Sequence, residues 1–507
     1  MARFCHNRGA APGGEGSDTM IDASRPQARS KAFRTIFLIE LWERFGYYGM
    51  AALLVLFMVQ RLGFDDARAN LTWGAFAALV YAMPAVGGWV GDRILGTRRT
   101  LLLGTAALAL GYALMAVPRD AMLYLALGTV VVGNGLFKAN SANMVRRIYE
   151  GDSARIDAAF TWYYIAVNVG STMSQLLTPW IGARYGWHAA FAVCAAGLVL
   201  GLANYALLKR TLDGVGSAAD ERPMPWKSLA LVLAVSAALV FVVAAVLQHR
   251  GIAVALVYAA CVAVLGIFAW LIARGLPSER AGLVAALLLT LQVVLYFIFY
   301  QQMTTSLTLF ALRNVDWEQS LFGLHLFTWI PAQYQVLDPI WVFILGPVLA
   351  TLYTRLGNAG RDPSIATKFA IGFAIVAAGF FVFALSGASA VAGRVSSWHM
   401  VWGYALLALG ELLVSGLGLA VMARFVPARM GGFMMGAYYV GVGVSQYLGS
   451  VVANYASVPE GATDPVATLP VYTGLFLHLG YAACGAAALS VLMLPLLRRL
   501  ARAHAAA

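Results

Sequence analysis

The chain has 507 residues, 61% of them hydrophobic and only 11% charged, with a mean hydropathy of +0.75. Soluble domains run at ~45–50% apolar, which excludes an ordinary soluble globular protein and indicates an all-α membrane protein. The net charge of +12 arises from 35 Lys and Arg against 23 Asp and Glu; because these bases collect in alternate loops, they mark membrane orientation and not a nucleic-acid surface.

Residues 1–34 are polar, Arg-containing and punctuated by Gly and Pro, with no apolar stretch or small-residue cleavage site of their own. They read as a cytoplasmic tail, and the first span serves as the targeting signal. Windows of about 19 residues then predict fourteen spans, at 35–60, 70–91, 100–117, 121–144, 158–181, 187–208, 228–247, 252–273, 282–311, 335–354, 366–386, 398–423, 431–455 and 471–497. With a cytoplasmic N-terminus, most bases fall on the cytoplasmic side, among them Arg146, Arg147, Lys209, Arg210, Arg498, Arg499 and Arg502. Both termini are therefore expected in the cytoplasm.

The spans group as six, two and six. An N-terminal six-helix bundle covers 35–208, a polar linker 209–227, an inserted helix pair 228–273, a C-terminal six-helix bundle 282–497, and a second cytoplasmic tail 498–507. The inserted pair is nearly pure Ala, Val and Leu without intramembrane charge, so it is expected to pack beside the core and not to touch substrate. Two six-span halves suit a transporter that rocks around a midplane site.

The first span carries Glu40, Glu43 and Arg44, followed by Tyr47 and Tyr48. An ionisable group in hydrocarbon costs from ~2.5 to more than 10 kcal/mol, so three in five residues need partners or a use. At 100° per residue these positions fall within an arc of roughly 140°, a stripe that faces a wet cavity. A simpler alternative is that Glu43 and Arg44 only neutralise one another and pin helices together.

Between the second and third spans stands Gly88-Trp89-Val90-Gly91-Asp92-Arg93-Ile94-Leu95-Gly96-Thr97-Arg98-Arg99. The tight turn surrounds Asp92 with Arg93, Arg98 and Arg99, a cytoplasmic charge lock that could form in one conformation and break in another. The loop resembles the signature loop of the major facilitator superfamily. Without that resemblance it is a basic turn obeying the orientation rule.

At 1.5 Å rise per residue, Arg44 lies ~15 Å and Lys138 ~12 Å from the flanking cytoplasmic arginines, while Glu411 lies at ~20 Å and Asp338 at ~25 Å. The N-terminal half thus offers positive charge and the C-terminal half negative charge. A zwitterion such as a peptide would bridge them, its carboxylate on Arg44 and Lys138 and its ammonium on Glu411 or Asp338. Glu40, Glu43 and Glu411 are also candidate proton carriers. Cys5, Cys194, Cys261 and Cys484 have no paired spacing, and the histidines are scattered, so no disulfide framework, zinc site or other metal site is expected. A membrane enzyme would need a nucleophile–base pair or metal cluster at one depth, and the sequence offers none.

Glu40-Leu41-Trp42-Glu43-Arg44-Phe45-Gly46-Tyr47-Tyr48-Gly49 resembles the ExxERFxYYG signature of the proton-dependent oligopeptide transporter family, and Gly133-Asn134-Gly135-Leu136-Phe137-Lys138-Ala139-Asn140 its lysine motif. Further pieces lie at 161–168, 301–307 and 410–419, and together they are most similar to the bacterial dipeptide and tripeptide permeases. The resemblance implies a major facilitator fold with two extra central helices. It also implies a proton-coupled importer of dipeptides and tripeptides in the bacterial inner membrane, with the proton as coupling ion, no cofactor, and a monomer as functional unit. By the same resemblance, Glu40, Glu43 and Arg44 serve proton coupling, to which the carboxylate reading adds Glu411, Arg44 and Lys138 serve the peptide carboxylate, and Asn168 and Glu411 the amino end, with Tyr48 and Tyr81 shaping the pocket.

Three positions depart from the family pattern. Many members pair an acid with an arginine where Gln301 and Ala51 stand, a pair associated with the outer gate. The absence of both charges here predicts a gate closed by packing and neutral hydrogen bonds. Asp338 replaces a usual asparagine, and is either an extra titrating group or a helix N-cap before Pro339. Tyr438 stands where tryptophan is common and could alter side-chain preference. Other readings are a proton-coupled carrier of another zwitterionic or anionic solute, or a drug exporter of the same fold.

Overall fold

The computed structural model describes residues 26–427, 430–458 and 464–505. Each predicted apolar run lies within a helix. We number the helices α1 (Pro26–Gln60), α2 (Asp66–Leu95), α3 (Thr97–Ala116), α4 (Asp120–Ile148), α5 (Ser153–Tyr185), α6 (Trp187–Leu208) and α7 (Trp226–Gln248). The remainder are α8 (Arg250–Arg274), α9 (Pro277–Asn314), α10 (Pro331–Asn358), α11 (Ile365–Leu385), α12 (Trp398–Phe425), α13 (Gly431–Ala453) and α14 (Pro465–Ala505). Eleven of these segments are long and apolar enough to cross a membrane on composition alone. The other three, α1, α5 and α13, are of comparable length but carry more polar residues, as helices lining a wet interior must.

The long helices overrun the bilayer. At 35 residues, α1 spans ~52 Å against ~30 Å of hydrocarbon, so its start projects from the basic face. It begins at Pro26, inside the segment read as a tail, and residues 1–25, including Cys5, lie outside the described residues. Likewise α14 continues to Ala505 through the segment read as the C-terminal tail.

Several helices are interrupted where the sequence gives cause. Helix α2 is capped by the Asp65 carboxylate, which accepts from the Arg68 amide at 2.6 Å, and breaks at Met83–Pro84. It then passes through a π turn at Gly91–Leu95 and ends at Gly96, whose φ of +99° suits glycine. Helix α9 contains a 3₁₀ turn at Gln301–Met303, and α10 starts with one at Pro331–Val336.

Helices α1–α6 form one bundle and α9–α14 the other, and α2 lies against α13 along the seam between them. The inserted pair straddles that seam: α7 lies along α4 of the first bundle, α8 along α13 and α9 of the second. Their outer faces are largely exposed apolar surface, including Phe241, Val262 and Trp270.

The α9–α10 connection, unassigned in the sequence reading, contains an antiparallel hairpin of β1 (Glu318–Leu321) and β2 (Leu324–Thr328). Its two-residue turn places Phe322 and Gly323 at φ +52° and +79°, the left-handed pair of a type I′ turn. The two-residue segments Val315–Asp316 and Val395–Ser396 pair in parallel beside it.

Candidate functional site

A four-charge cluster lies on the inner side of the first bundle. Glycine makes it possible: a Cβ on Gly170 of α5 would meet the Leu41 carbonyl at 2.4 Å, so only a hydrogen lets α5 press against α1 here. Glu40 and Glu43 are fully buried and Arg44 is 6% exposed. Arg44 Nε pairs with the Glu43 carboxylate and lies 3.5 Å from Glu40 Oε1, and its Nη2 donates to Asn134 Oδ1 at 3.4 Å. Lys138 Nζ approaches the same Glu40 oxygen at 3.3 Å. The second Glu40 oxygen accepts from Ser141 at 2.7 Å, and Ser141 accepts from the Tyr163 hydroxyl at 3.1 Å.

The cluster balances two carboxylates against two cations, yet is incompletely bonded. Glu43 Oε1 is buried without a hydrogen-bond partner. Lys138 is the wet end, with 37% of its side chain exposed beside a carboxylate with none. Glu43 and Arg44 do pair, as the simpler alternative has it, but Arg44 is also shared with Glu40 and Asn134 and is therefore part of a network.

One turn further along α1, Tyr47 and Tyr48 line a central cavity of about 120 Å³ between the two bundles. Arg44 stands over the Tyr47 ring, 5.2 Å from its centroid, so that ring separates the charge cluster from the cavity. The cavity wall also includes Tyr81, Tyr164 and Asn168 from the first bundle and Tyr300, Asp338 and Glu411 from the second. Asp338 and Glu411 face the same cavity, each with one buried carboxyl oxygen that has no hydrogen-bond partner, and the Tyr300 hydroxyl donates to Asp338 at 3.5 Å. Asp338 sits in the first turn of the regular helix after Leu337, so it does not act as its N-cap. Asn168 donates to the Tyr164 carbonyl at 2.9 Å, leaving its side-chain oxygen toward the cavity wall.

Tyr438 is not among the cavity residues. It is 4% exposed and packs on Gly418 of α12, where a Cβ would stand 2.2 Å from its hydroxyl. An effect on peptide side chains would therefore be indirect. Ala51 and Gln301 both line the cavity on the side away from the basic face, and Gln301 donates to Ser450 at 3.3 Å.

The far side of the cavity is closed by more than neutral contacts. Arg313, beyond the break in α9, grips Asp66 of α2 through both nitrogens, at 2.6 and 2.8 Å, and also contacts the Tyr472 hydroxyl. Asp66 accepts in addition from the Val458 amide at 3.1 Å. This ion pair joins the two bundles and corrects the expectation of a gate without charge: the charges lie farther out than Ala51 and Gln301, where partial hydration offsets their desolvation. An unusual Arg on the poorly basic face was the available signal. Asn70 donating to Asn454 at 3.1 Å and Gln333 to the Leu176 carbonyl at 2.9 Å add neutral cross-links. Toward the basic face, by contrast, Phe160, Trp162 and Tyr164 of α5 are exposed, and Tyr164 borders the cavity.

The predicted lock at the α2–α3 loop is a junction within the first bundle. Asp92 pairs with Arg147 at 3.3 Å and accepts from Asn143 at 2.9 Å. Arg98 and Arg99 instead hold the linker, donating to the carbonyls of Leu212 (2.9 Å) and Arg222 (2.7 Å), while Asp220 accepts from the Arg98 amide. Arg93 is exposed. These arginines fasten the linker to the first bundle; their partners lie more than a hundred residues away in sequence, out of reach of a local reading.

Residues 98–469 match the POT family profile (PTR2). The chain is 40% identical over 474 residues to dipeptide and tripeptide permease B of Edwardsiella piscicida, covering 93% of this chain and 96% of that one. It is 39% identical over 479 residues to dipeptide and tripeptide permease A of Escherichia coli K12, covering 94% of each. The crystal structure of tetrameric PepTSo2 superposes with a TM-score of 0.85 at 56% identity, covering 93% of this chain and 99% of that chain.

Proposed function

The chain belongs to the POT family, and from that premise we propose that it is a proton-coupled symporter that imports dipeptides and tripeptides by alternating access. It is a transporter and not an enzyme. The carrying observation is the charge placed on either side of one cavity: cations paired with carboxylates behind Tyr47 on the first bundle, and Asp338 and Glu411 in the wall of the second. A zwitterionic peptide bridging them would bring its ammonium to the acids and its carboxylate toward Arg44 and Lys138.

Coupling follows from charge balance. The Glu40–Glu43–Arg44–Lys138 cluster is neutral when all four groups are ionised. A peptide carboxylate entering it adds a third anion to two cations in a poorly hydrated place, which is costly unless one carboxylate takes a proton. Proton and peptide therefore favour each other's binding, and this is the differential affinity that alternating access needs. After opening to the basic face, Lys138, the wet end, can re-pair with deprotonated Glu40 and release the peptide. Glu43, with its unpartnered oxygen, is the acid whose charge the cluster compensates least.

We assign the basic face to the cytoplasm of a bacterial inner membrane, with both termini there, by the excess of Lys and Arg. Each chain encloses its own cavity, which supports a single chain as the transport unit whatever assembly it joins. The test is uptake of labelled dialanine into proteoliposomes with and without an inward proton gradient, wild type beside Glu43→Gln. Gradient-driven accumulation that the variant loses while keeping counterflow supports the reading. Active vesicles in which peptides neither enter nor compete would overturn the substrate.

A further inference from the structure

The inserted pair is unassigned in the transport cycle, and the ground beneath it is hollow. On the far face a cavity of about 170 Å³ lies between α2, α4, α13 and the α7–α8 turn, lined by residues including Arg68, Arg250, Tyr124 and Tyr447. Below it runs an apolar cleft of about 80 Å³, walled by residues such as Leu79, Val246, Leu256 and Val440, and the two share Ala75 and Ala253. A polar mouth over an apolar slot is the shape of a headgroup above its acyl chain.

The polar groups are aimed at a ligand. Tyr447 is 3% exposed, and its buried hydroxyl makes no hydrogen bond of normal geometry but lies within reach of Arg250. Arg68 donates to the Tyr124 hydroxyl at 3.2 Å and stacks on Phe64, which fixes its guanidinium and leaves further donors open. The acid in the wall, Asp65, is engaged as the α2 cap, and its neighbour Asp66 is held by Arg313. Two arginines and a phenol hydroxyl around one opening match a phosphodiester.

We propose that this is a binding site for a membrane phospholipid, phosphate between Arg68 and Arg250 and acyl chain in the cleft beneath Ala253. Its walls come from both bundles, α2, α4 and α7 on one side and α8 and α13 on the other. A lipid seated there bridges the seam on the closed face and favours the conformation open to the basic face. Loss of the site leaves the central cavity intact.

The experiment is native mass spectrometry and thermal unfolding of the full-length, delipidated protein titrated with dioleoylphosphatidylglycerol. Wild type should hold one lipid at least about tenfold more tightly than Arg68→Gln/Arg250→Gln, and Ala253→Phe, which fills the cleft, should lose it similarly. Tyr447→Phe should weaken binding by about threefold, and Arg61→Gln, on the same face but outside the cavity, should not. Should the double variant fail to fold, Arg250→Gln alone, at an exposed helix start, gives the comparison. Equal lipid retention by wild type and the arginine variants overturns the proposal. So does equal stabilisation by soluble glycerol 3-phosphate, which would make the mouth an anion site without a lipid.

Discussion

Removing the Asp66–Arg313 pair should open the far face. The pair can form only when the bundles meet there, so its loss penalises the closed conformation and leaves the open one, where both groups are hydrated, nearly untouched. Asp66 is 2% exposed, and the Arg313 side chain 13%; the bidentate contact is short, and Asp66 also holds the Val458 amide. Breaking a buried pair by deleting one partner costs ~3–5 kcal/mol, and the partial exposure of Arg313 brings this to about 2–3 kcal/mol. The closed-to-open ratio should fall by roughly 30- to 150-fold in Asp66→Asn or Arg313→Gln. The assay is labelling of Ala51→Cys by a membrane-impermeant maleimide applied from the far side, with Cys5, Cys194, Cys261 and Cys484 replaced. Ala51 lines the cavity and is shielded from the far face in the closed state, so labelling should accelerate by at least about tenfold in either variant. The double variant should add little, because each single change already breaks the same contact. Labelling rates indistinguishable from the parent in both single variants would refute the assignment of this pair as the gate.

Gln301→Ala should retain substantial transport, since it removes one neutral hydrogen bond to Ser450, worth about 1 kcal/mol; loss of proton-driven uptake at normal surface expression would contradict this. Asp338→Asn removes a titratable acid, one buried oxygen of which has no hydrogen-bond partner, from the wall it shares with Glu411, so the pH dependence of peptide affinity should flatten. Competition binding across pH would show it, and an unchanged profile would remove Asp338 from the titrating groups. Gly87→Ala puts a Cβ 2.0 Å from the Gly135 carbonyl and must part α2 from α4, costing about 1–3 kcal/mol or more, whereas Gly416→Ala meets nothing within 4 Å. Thermal unfolding of the pair should separate them, and equal melting temperatures would show that the α2–α4 contact is not so constrained.

Helix positions were legible because bilayer thickness imposes a length on every apolar run, and Glu40, Glu43, Arg44 and Lys138 because intramembrane charge is so costly that it announces itself. Partners were less so. That Ser141 and Tyr163 support Glu40 depends on how α4 and α5 rotate about α1, set by contacts such as Gly170 on Leu41. Arg98 and Arg99 read as a mobile lock because their bases are local and their acceptors, the linker carbonyls, have no side-chain signature. The hairpin at 318–328 was missed because strands of four and five residues lie below what alternation can reveal.

The placement of α7 and α8 on different bundles has a bearing on biogenesis. Helix α7 meets its partner α4 as soon as it leaves the ribosome, and the linker behind it is already fastened by Arg98 and Arg99. Helix α8 can meet α9 at once, but its larger contact must wait, because α13 starts at Gly431, more than 150 residues after α8 ends at Arg274. Through that interval it stands in lipid with one side unmatched. Its sequence tolerates the delay: between Arg250 and Arg274 it carries no charged residue, so an undocked α8 leaves no ionic group stranded in hydrocarbon. The blandness of the inserted pair is thus what a nascent chain needs in order to hold a half-built seam open until its second half arrives.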